Sequence, residues 1–248
     1  MAVNPSRGEW KIRANVFDPF TERTLFQLAG KGFFGDLESP VALGKEANVF
    51  SASAGRESEG KEKIIVKIYR LENSNFKKMY EYLQQDPRYM HAKPAKRDVI
   101  LSWCQREYRN LMLARESINV PTPIGYKNNV LVLSFIGDAI NAIPAPQLKD
   151  SAPTNPETFC KAVLERIAIL WKHGLVHGDL SAFNILNDGD QPVFIDFSQS
   201  SPTSAPNAKE LLRRDLTNLA AYFKKHGVKL DVEKEMEKVV KGVKLSRR

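Results

Sequence analysis

The spacing of apolar residues changes several times along the chain, and each change marks an element. From Asp18, the residues Phe20, Thr24, Leu25 and Leu28 recur at helical spacing, with Asp18 placed as N-cap and Pro19 at the first helical position. Gly30 and Gly32 end that helix, and Phe33, Phe34 and Leu37 are read as core contacts of a second short element. Residues 41–50 read as strand, turn and strand, and Ile64-Ile65-Val66-Lys67-Ile68-Tyr69 follows as a β-branched strand. The hydrophilic residues 53–63 between them predict an exposed hairpin loop. Residues 73–98 form a long polar insert, of a kind that is commonly mobile or functional. Helical period returns over 99–118 through Val99, Ile100, Trp103, Tyr108, Leu111, Met112 and Arg115. Residues 120–125 lead into a strand, and Val130-Leu131-Val132-Leu133 predicts a buried one, while Pro144 and Pro146 keep 143–149 extended. Pro156 opens a helix with Phe159, Val163, Ile167 and Leu170 on one face, ending near Gly174. After a Ser/Pro-rich stretch at 198–207, an amphipathic helix is expected over 208–225 and a charged surface helix over 231–244. Residues 1–15 are unpatterned and read as a mobile tail.

A chain of 248 residues can form one large domain or two lobes with their own cores. With 42% hydrophobic and 27% charged residues it has a globular composition. Its apolar runs are too short to span a bilayer, and its start lacks the pattern of a secretory signal, so no membrane association and a cytoplasmic location are expected. Cys104 and Cys160 match no zinc or redox spacing and are read as buried or interface thiols in a reducing compartment. The net charge of +8 fits an anionic partner such as RNA or a ribonucleoprotein, and fits equally an ordinary solvated surface. Basic residues concentrate at 93–97, at 209–214 and in the tail ending at Arg248.

The candidate chemistry lies in one stretch. Asp179 is followed five positions later by Asn184, and Asp196 closes the short run Phe194-Ile195-Asp196. Protein-kinase sites need a base and a metal-binding amide on one tight loop, and a second Asp arriving from a neighbouring strand. Mg²⁺ takes oxygens from several directions, which explains the separation. Short His-x-Asp strings recur by chance; the ordered set is what points to phosphoryl transfer. Lys67 sits alone in its strand, where burial is costly without an anion, and it suits the α- and β-phosphates of ATP. Its helical partner is Glu107, with Glu116 as the second choice near the helix end. The turn Gly44-Lys45-Glu46-Ala47, with Val49 behind it, carries a single glycine and is a weak phosphate-loop signal by itself. Lys45 either touches phosphate or faces solvent. The Ser134 carbonyl and Ile136 amide are assigned to the adenine edge, with Leu133 guarding the back of the pocket. His177 is read as bonding backbone rather than as a catalyst.

The strings GKEANVF at 44–50, IVKIY at 65–69, DPR at 86–88, Trp103 with REYRNL at 106–111, FIG at 135–137, PAP at 144–146, LVHGDLSAFNIL at 175–186, IDFSQS at 195–200 and LRRD at 212–215 together resemble the RIO family of atypical protein kinases. The likeness is to its type-one, archaeal-like branch and runs over residues 17–228. It implies an α+β, two-lobe protein-kinase-like fold in trimmed form, with a tail and helical extension to residue 40, an N-lobe over 41–136 and a C-lobe over 137–248. It also implies ATP and Mg²⁺ (or Mn²⁺) as cofactors, autophosphorylation or ATP hydrolysis, a phospho-aspartate at Asp196, and the pre-ribosomal small subunit as partner in its maturation. Carried over by position, Lys67 contacts phosphates, Glu107 orients it, Asp179 is the acid/base, Asn184 and Asp196 hold metal, and Asp215 braces the loop.

Several positions depart from ordinary kinases: Ser181 stands where many have Lys, Ser134 where a hinge Glu is expected, and Asp-Phe-Ser replaces Asp-Phe-Gly. No Ala-Pro-Glu segment follows, so no conventional activation loop or peptide platform is expected. Two other classes remain in view. One is a nucleotide-regulated, ribonucleoprotein-binding scaffold with little catalysis, which the intact Lys67, Asp179, Asn184 and Asp196 speak against. The other is a small-molecule phosphotransferase of the aminoglycoside or choline type, which the 44–47 turn and the long insert speak against.

Overall fold

A five-stranded antiparallel sheet sets the register of the N-terminal half, and Lys67 lies in its central strand. The structure, a computed structural model, describes residues 17–57, 62–72 and 75–242. The expected tail at 1–15, part of the loop at 53–63, the start of the insert and the last basic residues lie outside them. Strands β1 (Phe34–Leu43), β2 (Ala47–Ala54), β3 (Lys63–Tyr69), β4 (Pro123–Lys127) and β5 (Val130–Ser134) are ordered β1-β2-β3-β5-β4. Within this register Lys67 faces Val49 on one side and Leu131 on the other. β1 begins at Phe34, so residues 34–40 belong to the sheet and not to an extension preceding it.

Side chains alternate across a strand, and β3 shows the consequence. Ile64, Val66 and Ile68 enter a small core with Leu25, Leu28 and Phe34, beneath helix α1 (Pro19–Gly30). Tyr69 joins the other, larger core, and Lys67 lies on that same face. α1 starts where Asp18 accepts N–H bonds from Phe20 and Thr21, each at 3.0 Å, and ends before Gly32 at φ +84°. It is tied to the sheet by Asn129, whose Nδ2 donates to Thr21 Oγ1 and to the Tyr69 carbonyl, both at 2.8 Å.

The insert is not an unstructured connection. Residues Phe76–Gln85 form helix α2, capped by Asn75, with Met79 and Leu83 buried. Phe76, Met79, Tyr80 and Leu83 have the i, i+3, i+4, i+7 spacing of an amphipathic helix, a signal hidden by the polar residues around it. α2 packs on α3 (Lys96–Ala114), which starts three residues before the expected 99 and stops short of 118. Beyond α2, Asp86 is fully buried and is bonded by Arg106 Nε at 3.0 Å and by Arg88 Nη2 at 2.7 Å. Arg106 Nη2 continues to Ser201 Oγ at 2.8 Å, and Asn110 Nδ2 donates to the carbonyls of Phe197 and Ser200 at 2.9 Å. The insert, α3 and the segment after Asp196 are therefore one polar unit.

The C-terminal half begins with the pair β6 (Gly137–Asp138) and β7 (Ile143–Pro144), followed by α4 (Pro156–Lys172). Strand β8 (Leu175–Val176) pairs with β11 (Ser201–Pro202), and β9 (Ile185–Asp188) with β10 (Gln191–Phe194). Then come α5 (Ala208–Lys225) and α6 (Val232–Lys241). α6 ends at Lys241, capped by Gly242, while residues 243–244 of the expected helix lie outside the described residues; it buries Met236 and Val239, so it is part of the core boundary and not only a surface helix. Cys104 and Cys160 are buried free thiols. Among the described residues no helix is long and apolar enough to cross a membrane.

Removing one partner of a buried ion pair leaves an uncompensated charge, which costs about 3–5 kcal/mol. Asp86→Ala, which strands Arg106, should lose that much stability in urea unfolding. A loss below about 1 kcal/mol would contradict the role given to this network.

Candidate active site

Lys67 is the point where the two halves meet. Its Nζ lies 2.8 Å from Glu107 Oε1 on α3 and 3.1 Å from Asp196 Oδ1, just beyond β10. Burial opposes its charge, but Asp196 and Glu107 outweigh burial and hold the ammonium above the ordinary lysine range. Glu107 is fully buried, and its Oε2 accepts from the Tyr69 hydroxyl, two residues along β3 from Lys67. Period 2 places Tyr69 beside Lys67 on one face, so this contact follows from the strand itself.

The loop after β8 is shaped by groups behind the cleft, His177 and Asp215, and by Asn184 on its wall. His177 Nε2–H donates to the Ile195 carbonyl at 3.0 Å, and burial pushes the ring down to about 4, so it is neutral. That tautomer leaves Nδ1 to accept the Asp179 N–H at 3.3 Å. Asp215 on α5 accepts from the Gly178 N–H at 2.8 Å and the Leu180 N–H at 2.7 Å, one bond on each oxygen. Burial pushes its carboxyl up to about 7 in spite of those bonds. Asn184 Nδ2 donates to the Asp179 carbonyl at 2.8 Å, which turns the amide oxygen away from that bond. Asp196 sits at φ +62°, a left-handed conformation that Asp tolerates better than most residues. Burial opposes ionisation of Asp196, but Lys67 holds its carboxylate below the usual range. Burial, and then the charge of Asp196, push Asp179 up to about 6.

A cleft of about 710 Å³ lies between the halves and is lined by Gly44, Lys45, Glu46, Ala47, Val49, Lys67, Glu107, Leu133, Ser134, Ile136, Asn184 and Asp196. The sequence-predicted residues therefore converge, with two differences of detail. Lys45 is exposed, and Asp179 is absent from the cleft wall, held instead by Gln199 at 3.0 Å. The Ser134 hydroxyl is occupied by the Thr122 N–H at 2.8 Å, and the Ile136 carbonyl by the Ala145 N–H at 3.0 Å. A larger groove of about 1410 Å³ lies between α4 and α6, and none of these residues lines it. Sequence reasoning missed Tyr69, Gln199 and Arg214, whose Nη2 bonds the Gly178 carbonyl. Gln199 lay within the IDFSQS string, so its signal was there to be used.

The donor set fits Mg²⁺. That ion takes one or two carboxylates and completes its shell with water and phosphate oxygens. Asn184 and Asp196 offer one amide oxygen and one carboxylate on a single wall. No group of three or more His, Cys, Asp or Glu among the described residues is arranged to hold a metal by protein groups alone.

The model of the RIO domain family matches residues 48–237. The chain belongs to the RIO family of protein kinases. The RIO-type serine/threonine-protein kinase Rio1 of Methanocaldococcus jannaschii is 40% identical over 94% of this chain and 78% of its own length. Rio1 of Haloferax volcanii is 36% identical over 90% and 75%, and human RIO1 is 34% identical over 89% of this chain and 39% of its own length. This RIO chain is thus an atypical serine/threonine kinase of the archaeal-like, type-one kind. Its two-lobe α+β fold is shared with the Rio2 kinase of Chaetomium thermophilum, solved as an ADP/Mg²⁺–phosphoaspartate complex. The TM-score is 0.64 at 22% identity, and the match covers 86% of this chain and 64% of that one.

Asp179 titrates near 6 in the folded RIO domain, against 3.8 for an ordinary Asp. Between those values the folded state binds more protons, so this group's contribution to stability falls as pH rises from about 4 to about 6 and stays unfavourable above that. Asp179→Asn should therefore raise Tm at pH 7.5 by about 2–4 °C, roughly 1 kcal/mol after allowance for solvent screening. The gain should shrink toward pH 4, and an unchanged or lower Tm at pH 7.5 would contradict the assignment.

Proposed function

We propose that this RIO kinase uses ATP and Mg²⁺, with Mn²⁺ able to take the same oxygens, for autophosphorylation and ATP hydrolysis in maturation of the small ribosomal subunit. The observation that carries the catalytic part is Lys67, bridging Glu107 and Asp196 at the base of the cleft. In this reading the backbone at Ser134 and Ile136 receives the adenine edge, Leu133 closes the back, and the turn at 44–47 with Val49 covers the nucleotide. Lys67 binds the α- and β-phosphates, and Glu107 keeps it from turning away. Mg²⁺, held by Asn184 and Asp196, would neutralise charge on the phosphates. Asp179 takes the proton of the attacking hydroxyl as oxygen bonds to the γ-phosphorus and ADP leaves; a carboxylate titrating near 6 is basic enough for this at neutral pH. With water as nucleophile the same step releases phosphate. With the Asp196 carboxylate as nucleophile no proton is taken: its oxygen bonds to the γ-phosphorus as the bond to ADP breaks, and water, losing its proton to Asp179, later cleaves the acyl phosphate.

Hydrolysis gains support from the short path between Asp196 and α5. That path holds only a 3-10 turn at Phe197–Gln199, β11 and a brief connection, in place of a peptide platform. The ribosomal role is supported by the family and by the +8 net charge, which suits an RNA-rich partner; it carries with it a cytoplasmic location. The scaffold reading is disfavoured because the Lys67 ion pairs stand assembled in this chain.

The test is incubation with γ-labelled ATP and Mg²⁺, followed by acid or hydroxylamine treatment of the labelled protein. Hydroxyl phosphoester survives both, whereas an acyl phosphate at Asp196 is stripped by hydroxylamine while free phosphate accumulates. Asp179→Ala should cut turnover by about 100-fold or more with nucleotide affinity retained. Asp196→Ala should weaken Mg²⁺-dependent nucleotide binding as well. Neither label nor phosphate release from the unaltered protein would overturn the catalytic reading.

A further inference from the structure

Asp179 is held by more than its own loop. Gln199, at the end of the 3-10 turn, donates from Nε2 to Asp179 Oδ2 at 3.0 Å. Asn184 Nδ2, already on the Asp179 carbonyl, approaches the same oxygen at 3.4 Å. Both donors address Oδ2, and among the described residues no hydrogen bond engages Oδ1. A carboxylate can accept on either oxygen, so fastening one of them fixes the plane of the group and leaves the other to take a proton.

The glutamine is itself oriented from behind. Its Oε1 lies 3.4 Å from Arg214 Nη2, and a guanidinium can only donate, so the carbonyl end faces Arg214 and the NH₂ end faces Asp179. Arg214 is fixed in turn by the Gly178 carbonyl through Nη2 and by the Tyr82 hydroxyl through Nη1 at 2.8 Å. Tyr82 belongs to α2, and its ring lies edge-on to Trp103 with centroids 6.1 Å apart. The close approach of the two loops needs glycine at 178. Gly178 has φ +79°, and a Cβ there would lie 3.0 Å from the Gln199 carbonyl.

We infer that Gln199 is a positioning residue of the phosphoryl-transfer reaction, fixing Asp179 with Oδ1 free for the acceptor hydroxyl, and that Tyr82 of the insert helix supports it through Arg214. This rests on Asp179 being the base. A neutral amide in direct contact orients the carboxylate at less cost to its basicity than a cation in that place, and the Arg214 charge, set one residue further back, still lowers it in part. The insert then has a catalytic consequence: the path Tyr82–Arg214–Gln199–Asp179 joins α2 to the proton acceptor without touching nucleotide.

Gln199→Met keeps the length of the side chain and removes the donor. In steady-state ATP turnover its kcat should fall about tenfold or more. KM for ATP and Tm should stay close to those of the unaltered protein, since Gln199 does not line the nucleotide cleft. Tyr82→Phe should lower kcat about two- to fivefold alone and add nothing further on Gln199→Met, the non-additivity expected of one connected path. Asp179→Asn is assayed alongside. If it is inactive while Gln199→Met turns over normally, the positioning role is overturned and the base assignment stands. Turnover by Asp179→Asn overturns the base assignment beneath it. The positioning role also falls if kcat declines only in step with Tm or nucleotide affinity, or if Tyr82→Phe loses the same factor in both backgrounds.

Discussion

A lysine in the middle of a β-strand, 8% exposed, is tolerable only if anions meet it. Lys67 is met by two, and they come from opposite parts of the chain: Glu107 from the helix behind the sheet and Asp196 from beyond β10. Satisfying that one cation requires the sheet register, the placement of α3 and the closeness of the C-terminal half all at once. The catalytic arrangement and the packing of the two lobes are in this sense the same constraint.

The remainder of the polar interior makes this meeting reproducible. Arg106 and Asn110 lie on α3 on either side of Glu107 in sequence, and both bond groups in 197–201, directly after Asp196. The helix that carries one anion is thereby fastened to the segment that carries the other. Asp86 completes the unit by neutralising Arg106 from the insert, which explains why a stretch of mostly polar residues has a well-packed end. Asp215 plays the matching part for the loop at 178–180, through two backbone N–H groups.

Much of this could be read from residue order. The helix over 208–225, the cap at Asp18 and the helix start at Pro156 follow from local chemistry, and α5 occupies the first of these spans. The pairing of Lys67 with Glu107 was legible because an isolated strand lysine must have an anion and only a few helical acids were within reach. Other features were not legible, for physical reasons. α2 is short and two-faced, and its Lys, Glu and Gln residues mask Met79 and Leu83. The first half of β1 does not read as strand, because Phe34 and Leu37 are its only buried residues and bulges break its alternation. The bond from Gln199 to Asp179 depends on how the two-residue β8–β11 pair brings the 3-10 turn against the loop after β8, and strands that short leave no periodicity to read.

In the proposed mechanism the Lys67–Glu107 pair organises the phosphoryl-transfer site rather than merely filling the core. The most direct measurement is kcat/KM for ATP in Glu107→Gln, which keeps the shape of the side chain and one acceptor oxygen for Lys67 but removes its charge. It should fall by about tenfold or more with the cooperative unfolding transition preserved. An unchanged kcat/KM in a folded Glu107→Gln protein would contradict it.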